Sequence, residues 1–262
     1  MAGLKNTTIS GGYKSLLRVD DNSGVTGTAV RCTDGDGVSS SIKVSNSELI
    51  VYPSSNGNAL EVDDTSGNEK FRVNTTVPYV RALHHYVNTQ YAYFGVNFND
   101  FSHPSANTHY AIPFSSGGGG ASASNDVDFG TGTDPDTTFT TANTDSQYAA
   151  QLVPVMWFVP DDITIDNVYA FVGADDATGD TTRIHLFQYT FTSGSTSALS
   201  SGSVVAHSTA DTTNAGNEQI YKTTLTKDVT DIDAGKVILA FFRSDSVNSD
   251  YSINITVKYH LR

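Results

Sequence analysis

Residues 251–260 read Tyr-Ser-Ile-Asn-Ile-Thr-Val-Lys-Tyr-His, and this stretch decides the fold class. Its apolar and polar positions alternate: Ile253, Ile255, Val257 and Tyr259 against Asn254, Thr256, Lys258 and His260. Because successive side chains of a β-strand point to opposite faces, the alternation predicts a strand with one buried face. Similar segments cover residues 151–159, 163–172, 182–192, 203–207, 219–226 and 236–243. With nothing longer than a helical turn near residues 146–150, they predict a β-sandwich or jelly roll.

The acidic residues favour the same fold class. The chain has 28 of them, of which only four are Glu (Glu48, Glu61, Glu69 and Glu218) and the rest Asp. Asp favours turns and caps, whereas Glu favours helix interiors, so the bias predicts many turns and an all-β chain. With 15 basic residues the formal net charge is −13, which argues against a nucleic-acid partner.

No basic segment followed by an apolar run opens the chain, and no stretch reaches the roughly 20 apolar residues of a membrane span. We therefore expect a soluble protein that is neither exported nor inserted in a membrane. The single cysteine, Cys32, excludes an internal disulfide, so stability must come from packing, from a metal or from subunit association. Cys32 lies in a predicted strand, where it is expected to pack as a small apolar residue.

Residues 1–80 contain short predicted strands separated by turn-forming residues, a spacing typical of β-hairpins. The segment Leu-Arg-Val-Asp-Asp-Asn-Ser-Gly at residues 17–24 returns as Leu-Glu-Val-Asp-Asp-Thr-Ser-Gly at residues 60–67, which predicts a strand-turn unit used twice. Strands this short bury little surface on their own. We therefore predict a stalk or attachment module whose core is completed by neighbouring chains.

Residues 79–114 form the most aromatic stretch, and a glycine- and serine-rich segment follows at residues 115–145. Its four consecutive glycines disfavour regular structure, because glycine loses the most backbone entropy on ordering. We predict a flexible loop here, inside a head domain that spans residues 81–262. Tyr86, Tyr91 and Tyr93, next to this polar loop, suit a subunit interface.

Three segments of the C-terminal half carry a resemblance: Thr-His-Tyr-Ala-Ile-Pro-Phe at 108–114, Val-Pro-Val-Met-Trp-Phe-Val-Pro at 153–160, and Ile-Thr-Ile-Asp-Asn-Val-Tyr-Ala-Phe-Val at 163–172. Their order resembles the C-terminal jelly-roll heads of virion structural proteins from marine tailed bacteriophages. The resemblance implies a homotrimer in the virion, with its N-terminal part attached to capsid or tail proteins and its head projecting outward. Tail fibre, head fibre and capsid decoration protein remain alternatives, and the short chain without an extended shaft favours a compact appendage.

Two aspartate patterns suggest cation binding, but each has a simpler explanation. Asp34-Gly35-Asp36-Gly37 resembles the start of a calcium loop, yet Ser45 stands where a bidentate acid is required. Asp-Gly is a common tight-turn pair, so a hairpin turn is favoured. Asp20-Asp21 and Asp63-Asp64 would crowd carboxylates around a cation in a trimer, but solvated turns are favoured for them as well.

Four histidines, His84, His85, His103 and His109, lie near one another in the sequence and would fit a metal site on a trimer axis. They lack a metal-binding spacing such as H-x-H or HExxH, so ordinary surface or interface histidines are favoured. The sequence therefore predicts no metal and no cofactor.

No nucleophile elbow, P-loop or paired Cys–His motif is present, so no catalytic residue is predicted and an enzyme is not expected. The ring of Trp157, beside Phe158, is a candidate for stacking on a sugar. A lone tryptophan in an apolar strand is more often buried in the core, so the core position is favoured. The alternative function is a lectin-like, carbohydrate-binding receptor-recognition protein with ligand contacts in the loops at residues 117–145 and 175–180. A polysaccharide-degrading enzyme, with two aspartates placed across a glycosidic bond, is the third hypothesis.

Overall fold

The computed structural model describes residues 18–19, 26–33, 38–51, 57–76, 79–82, 85–98, 105–114, 127–140, 149–175, 178–208, 212–213, 218–246 and 249–262. The described strands form four antiparallel sheets, which confirms the prediction of an all-β chain. The chain divides into two units, residues 1–87 and 88–262. Residues 81–87 therefore belong to the first unit, past the boundary predicted at residue 80.

The first unit contains two four-stranded sheets in which each strand pairs with the next one in the chain. One sheet consists of β1 (Arg18–Val19), β2 (Val30–Thr33), β3 (Ser39–Val44) and β4 (Leu49–Val51). The other consists of β5 (Asn58–Asp63), β6 (Glu69–Asn74), β7 (Tyr79–Ala82) and β8 (His85–Tyr86). The sequence repeat matches this arrangement, because its two copies include β1 and β5, the first strand of each sheet.

The turn between β5 and β6 explains why the repeated motif ends a strand. Oδ1 of Asp64 accepts hydrogen bonds from the backbone N–H groups of Ser66 and Asn68, both at 2.9 Å. Gly67 has a φ of 78°, a left-handed conformation that favours glycine. Nζ of Lys70 lies 3.1 Å from Oδ2 of Asp64. Asp64 therefore stabilises a turn, whereas residues 20–21 lie outside the described part of the chain.

The described residues of the first unit form no hydrophobic core. Thr33 is the only buried side chain among them, and every apolar residue described as buried lies in the second unit. Six apolar side chains are exposed instead: Val38, Leu49, Val51, Leu60, Val62 and Val87. Leu49 is 67% exposed and Val62 is 49% exposed. This agrees with the prediction that strands this short bury little surface.

The second unit contains two sheets, here called sheet I and sheet II. Sheet I has the order β16 (Gln219–Thr224), β12 (Ile163–Asp175), β20 (Asp250–Leu261) and β9 (Thr89–Phe98), with β18 (Asp231–Ile232) also paired to β12. Sheet II has the order β10 (Tyr110–Ile112), β19 (Lys236–Ser244), β13 (Thr181–Phe191), β14 (Leu199–His207) and β17 (Thr226–Lys227). In addition, β11 (Trp157–Phe158) pairs with β19 and β15 (Thr212–Thr213) pairs with β13. Helix α1 (Ala149–Leu152) and a 3₁₀ turn (Val153–Val155) lie close to the predicted helical turn.

Sheets I and II enclose the main core, so the second unit is a β-sandwich. The alternation predicted for β20 is found, since Ile253, Ile255 and Val257 are buried between the sheets. His260 is the exception, because it is buried although its position in the alternation predicted exposure. Its Nδ1 lies 3.0 Å from Oδ1 of Asp166, at a bulge in β12 that shifts the register there.

Sheet II is covered on its outer face as well. Residues 237–242 of β19 are all buried, because alternate side chains enter two different cores. The second core contains Val127, Phe129, Phe139, Leu152 and Val155, which all come from the connection between β10 and β11. Residues 127–140, called here the cover segment, are therefore packed on sheet II and do not form the predicted flexible loop. Residues 115–126 and 141–148 lie outside the described residues.

Candidate functional site

The outer face of sheet I presents aromatic rings. Tyr91 on β9 is 52% exposed, Tyr93 is also exposed, and Phe171 on β12 is 45% exposed. Directly paired residues share a face of a sheet, so the register places Tyr93, Thr256 and Tyr169 in one row across three strands. Here Tyr91, Tyr93, Tyr169 and Phe171 are called the aromatic face.

A cleft of about 700 Å³ lies at one end of sheet I, where β9, β12, β16 and β20 contribute residues. The side chains of Asp175, Glu218 and Asp250 line it, together with the exposed Ile220. Gly173 also lines the cleft, and a Cβ added there would meet only atoms of Ser252 at 3.8 Å. The volume is in the range of small-molecule binding sites.

Tyr251, which also lines the cleft, is buried and held by hydrogen bonds. Its hydroxyl donates to Oδ2 of Asp180 at 3.3 Å and accepts from Oγ of Ser244 at 3.2 Å. Ser249 donates to the same Asp180 oxygen. Burial raises the pKa of Tyr251 to about 12, so the hydroxyl is neutral at pH 7. The network ties the start of β20 to β19 and to the residue before β13.

The outer face of sheet II carries three histidines beside the second core. His185 on β13 lies opposite His207 on β14, and its ring centroid is 5.1 Å from that of His109. Nε2 of His109 lies 3.1 Å from the carbonyl oxygen of Gly132, and Nε2 of His185 lies 3.2 Å from Oδ1 of Asp134. Both acceptors belong to the cover segment, so the two imidazoles donate from Nε2 and hold that segment on the sheet.

Arg183 and Arg243 lie directly opposite each other on β13 and β19, next to these histidines. We call the two arginines with His109, His185 and His207 the basic cluster. Burial lowers the pKa of His109, and it lowers the pKa of His185 to about 4. The positive charges of the arginines contribute in the same direction, because they disfavour a second cation nearby. His109 and His185 are therefore neutral at pH 7.

The structure assigns the histidines considered for a metal site to different surroundings. His85 is exposed on β8 of the first unit, whereas His109 is buried in the second unit. His84 and His103 lie outside the described residues, as do residues 34–37, the possible calcium loop. Within the described ranges, no three His, Cys, Asp or Glu side chains are grouped so that they would hold a metal ion.

Trp157 lies in the core position that the sequence favoured. It is buried, its ring stacks on Phe114 with centroids 5.8 Å apart, and the ring of Tyr259 lies 5.0 Å away. Phe158, the next residue, is exposed. Cys32 is half-buried on β2. Trp157 is thus not available for stacking on a sugar.

No sequence motif singles out the arginines of the basic cluster, His185 or His207. The available signal is the alternation of Arg183 and His185 with the buried Ile184 and Leu186, which indicates a polar patch on one face of an otherwise apolar strand. By contrast, Asp175 belongs to a predicted ligand loop and does line the cleft. No helix in the described part of the chain is long and apolar enough to cross a membrane.

No protein-family model matches this chain, and no curated protein sequence matches it. Its function must therefore be inferred from the geometry of the chain itself and from the sequence resemblance.

Proposed function

We propose that this chain is a structural protein of a tailed-bacteriophage virion that assembles as a homotrimer. In this proposal the first unit attaches to capsid or tail proteins and the second unit forms a head that projects outward. A homotrimer of this kind would suit a tail fibre, a head fibre or a capsid decoration protein, and all three roles remain alternatives. The resemblance of residues 108–114 and 153–172 to phage virion heads suggests the class of particle and the number of three subunits.

The observation that carries the proposal is that the described residues of the first unit form no hydrophobic core. Its described strands bury no apolar side chain, and Leu60 and Val62 on β5 are among those left in solvent. A sheet of short strands is stable on its own only if an apolar face is covered, and small domains bury a smaller share of their surface than large ones. Association of several chains through these apolar side chains would supply the burial that a single chain lacks.

The strand order of the second unit supports a jelly roll. Numbered along the chain, the eight main strands are β9, β10, β12, β13, β14, β16, β19 and β20. Sheet I contains the first, eighth, third and sixth of them, and sheet II contains the second, seventh, fourth and fifth. Two four-stranded sheets that exchange strands in this way are the arrangement of an eight-stranded jelly roll with two Greek keys.

Light scattering on the full chain tests the assembly. We expect a particle with three times the chain mass of 27.9 kDa at micromolar concentration. Val62→Lys should lower the mass towards one chain, because a charge would replace an apolar contact of the first unit. Thr65→Lys, in the exposed turn of the same unit, is the matched control and should remain trimeric. A wild-type chain that stays monomeric and stable would refute the proposal.

A carbohydrate-binding role is the second candidate, and the aromatic face together with the cleft favours it. Sugars stack their apolar faces on aromatic rings and offer hydroxyl groups to carboxylates and amides. A glycan array should then show binding that Gly173→Val weakens by filling the cleft, while Phe158→Ala, at an exposed site outside it, leaves binding unchanged. Absence of binding to any glycan would remove this candidate and leave the trimer proposal standing.

A further inference from the structure

Strand β9 forms one edge of sheet I and pairs with β20 along its whole length. On its other side, the N–H of Gly95 donates to the carbonyl oxygen of Pro113 at 3.0 Å, and Phe94 forms a bridge with Phe114. Residues 90–92 pair with β20 only, as far as the described residues show. This part of β9 is therefore an open edge of the sheet.

Proteins usually protect an open edge with charged side chains or proline, because an unprotected strand recruits other chains. The opposite edge of sheet I follows this rule, since β16 carries the exposed Lys222 and β18 carries the exposed Asp231. The edge at β9 does not, because residues 86–99 contain no charged residue and no proline. Of the two edges, it is the one without a protecting residue.

Tyr91 and Tyr93 extend from this edge into solvent. They lie on the outer face of sheet I, where the register places them opposite Lys258 and Thr256 of β20. Tyr91 is 52% exposed and Tyr93 is 36% exposed. Neither hydroxyl forms a hydrogen bond with a described residue, and neither ring contacts another described ring. The two side chains therefore offer apolar area and hydrogen-bonding groups that the described chain does not use.

The partner that fits this surface is a second copy of the same chain. Each copy carries a net charge of −13, so copies repel one another and approach most readily where the surface is uncharged. Tyrosine is enriched in protein interfaces, whereas charged residues are depleted at their centre. Strand β9 has this composition. A basic partner would instead be attracted to the aspartates elsewhere on the surface.

The connectivity of the chain favours the same partner. Val87 is the last residue of the first unit and is 63% exposed. It is one of the apolar side chains that the proposed homotrimer would cover. Tyr91 follows four residues later, so it lies at most about 14 Å from Val87 even in an extended chain. Three copies that are joined at this part of the first unit therefore begin β9 close to one another.

We infer that Tyr91 and Tyr93 form a contact between the second units of neighbouring copies. The inference rests on the proposed homotrimer and adds a second contact to that of the first units. Threefold symmetry excludes backbone pairing of the β9 strands with one another, because two copies of one strand pair antiparallel only about a twofold axis. The tyrosine rings therefore make the contact, with their faces packed and their hydroxyl groups available for hydrogen bonds.

Hydroxyl-radical footprinting of the full chain tests the contact, because the radicals modify aromatic rings that solvent reaches. Phe158 is the internal control, since it is 54% exposed and lies on β11 of sheet II. In the wild-type trimer, Tyr91 and Tyr93 should be modified several times more slowly than Phe158. Equal rates in a particle of three chains would overturn the inference and leave the homotrimer standing. A monomeric wild type would refute both.

A charged variant tests the same contact through the stability of the trimer. In Tyr91→Glu the carboxylate faces Lys258 across the strands, which favours the fold, while glutamates of neighbouring copies repel one another. The concentration at which half of the trimer dissociates should rise about tenfold or more. Phe158→Glu adds the same charge at an equally exposed ring and should dissociate like the wild type. Equal dissociation of the two variants would overturn the inference.

A sugar is the other occupant that these rings would suit, because aromatic rings stack on the apolar faces of sugars. Tyr91→Ser on a glycan array distinguishes it from a second copy. If this variant lost glycan binding, and the rings of the wild-type trimer were modified as fast as Phe158, the tyrosines would bind a ligand. The inferred contact between copies would then be wrong.

Discussion

Asp64 accepts backbone hydrogen bonds from Asn68 and Ser66, and these bonds, with the Asn68 side chain and Lys70, lower the pKa of its carboxyl group to about 2. Because the ordinary value is 3.8, the stabilisation is complete above pH 3.8 and is lost as the pH falls towards 2. We expect Asp64→Ala to lower the unfolding temperature at pH 7 and to remove part of its acid dependence. Circular dichroism melts between pH 2 and pH 7 would measure this. Asp63→Ala is the control, and an equal effect of both variants would contradict the assignment.

His185 gives the same direction of pH dependence as Asp64, but the cause is burial of a neutral ring. Its pKa is lowered by burial from 6.5 to about 4, so the folded chain favours the neutral ring. The stabilisation is present above pH 6.5 and falls between pH 6.5 and pH 4, by at most about 3 kcal/mol. Denaturant unfolding at pH 7 and pH 4.5 should show this loss in the wild type and a smaller one in His185→Gln. If His207→Gln, the matched control, reduced the loss equally, His185 would not be its source.

At the scale of the element, the cover segment depends on a close contact that only glycine permits. The backbone N–H of Gly202 on β14 donates to the carbonyl oxygen of Thr137 at 2.8 Å. A Cβ at Gly202 would lie 2.5 Å from Cε1 of Tyr189 and 2.8 Å from Cα of Thr137. We expect Gly202→Ala to destabilise the second unit by about 1–3 kcal/mol, because the cover segment or the Tyr189 ring must move.

Denaturant unfolding measures that loss, and limited proteolysis reports whether the cover segment has detached. Gly173→Ala is the matched control, since its Cβ would meet only ordinary contacts at 3.8 Å. Equal free energies of unfolding for the two glycine variants would contradict this expectation. They would show that the cover segment moves to accommodate the added Cβ without destabilising the second unit.

At the scale of the whole molecule, the two units differ in how they obtain stability. The second unit buries its apolar side chains in two cores of its own, while the described part of the first unit buries none. We therefore expect residues 88–262 alone to fold cooperatively and to unfold at a temperature close to that of the full chain. Calorimetry and light scattering of this fragment would test it. Loss of cooperative unfolding would mean that the cores need the first unit.

Local periodicity in the sequence was sufficient for the fold class and for the long strands from residue 163 onward, but not for β9 and β10. The alternation of β20 and the turn residues of the repeat are properties of adjacent positions, so they could be read without knowing the partners of each strand. The packing of Phe129 and Phe139 could not, because a loop rich in Gly and Ser gives no periodic signal. The basic cluster was also missed, since Arg243 and His109 meet only through the pairing of distant strands.

The late position of β19 has a consequence for synthesis on the ribosome. Ile112 pairs with Ala240, so β10 must wait for a partner that is translated after most of the chain. Residues 237–242 are all apolar. Before β19 pairs with its neighbours, this exposed apolar segment is prone to aggregate with other unfinished chains. Closure of the sandwich must therefore wait until β19 has left the ribosome. Rapid overproduction, in which many unfinished copies coexist, should drive the chain into inclusion bodies.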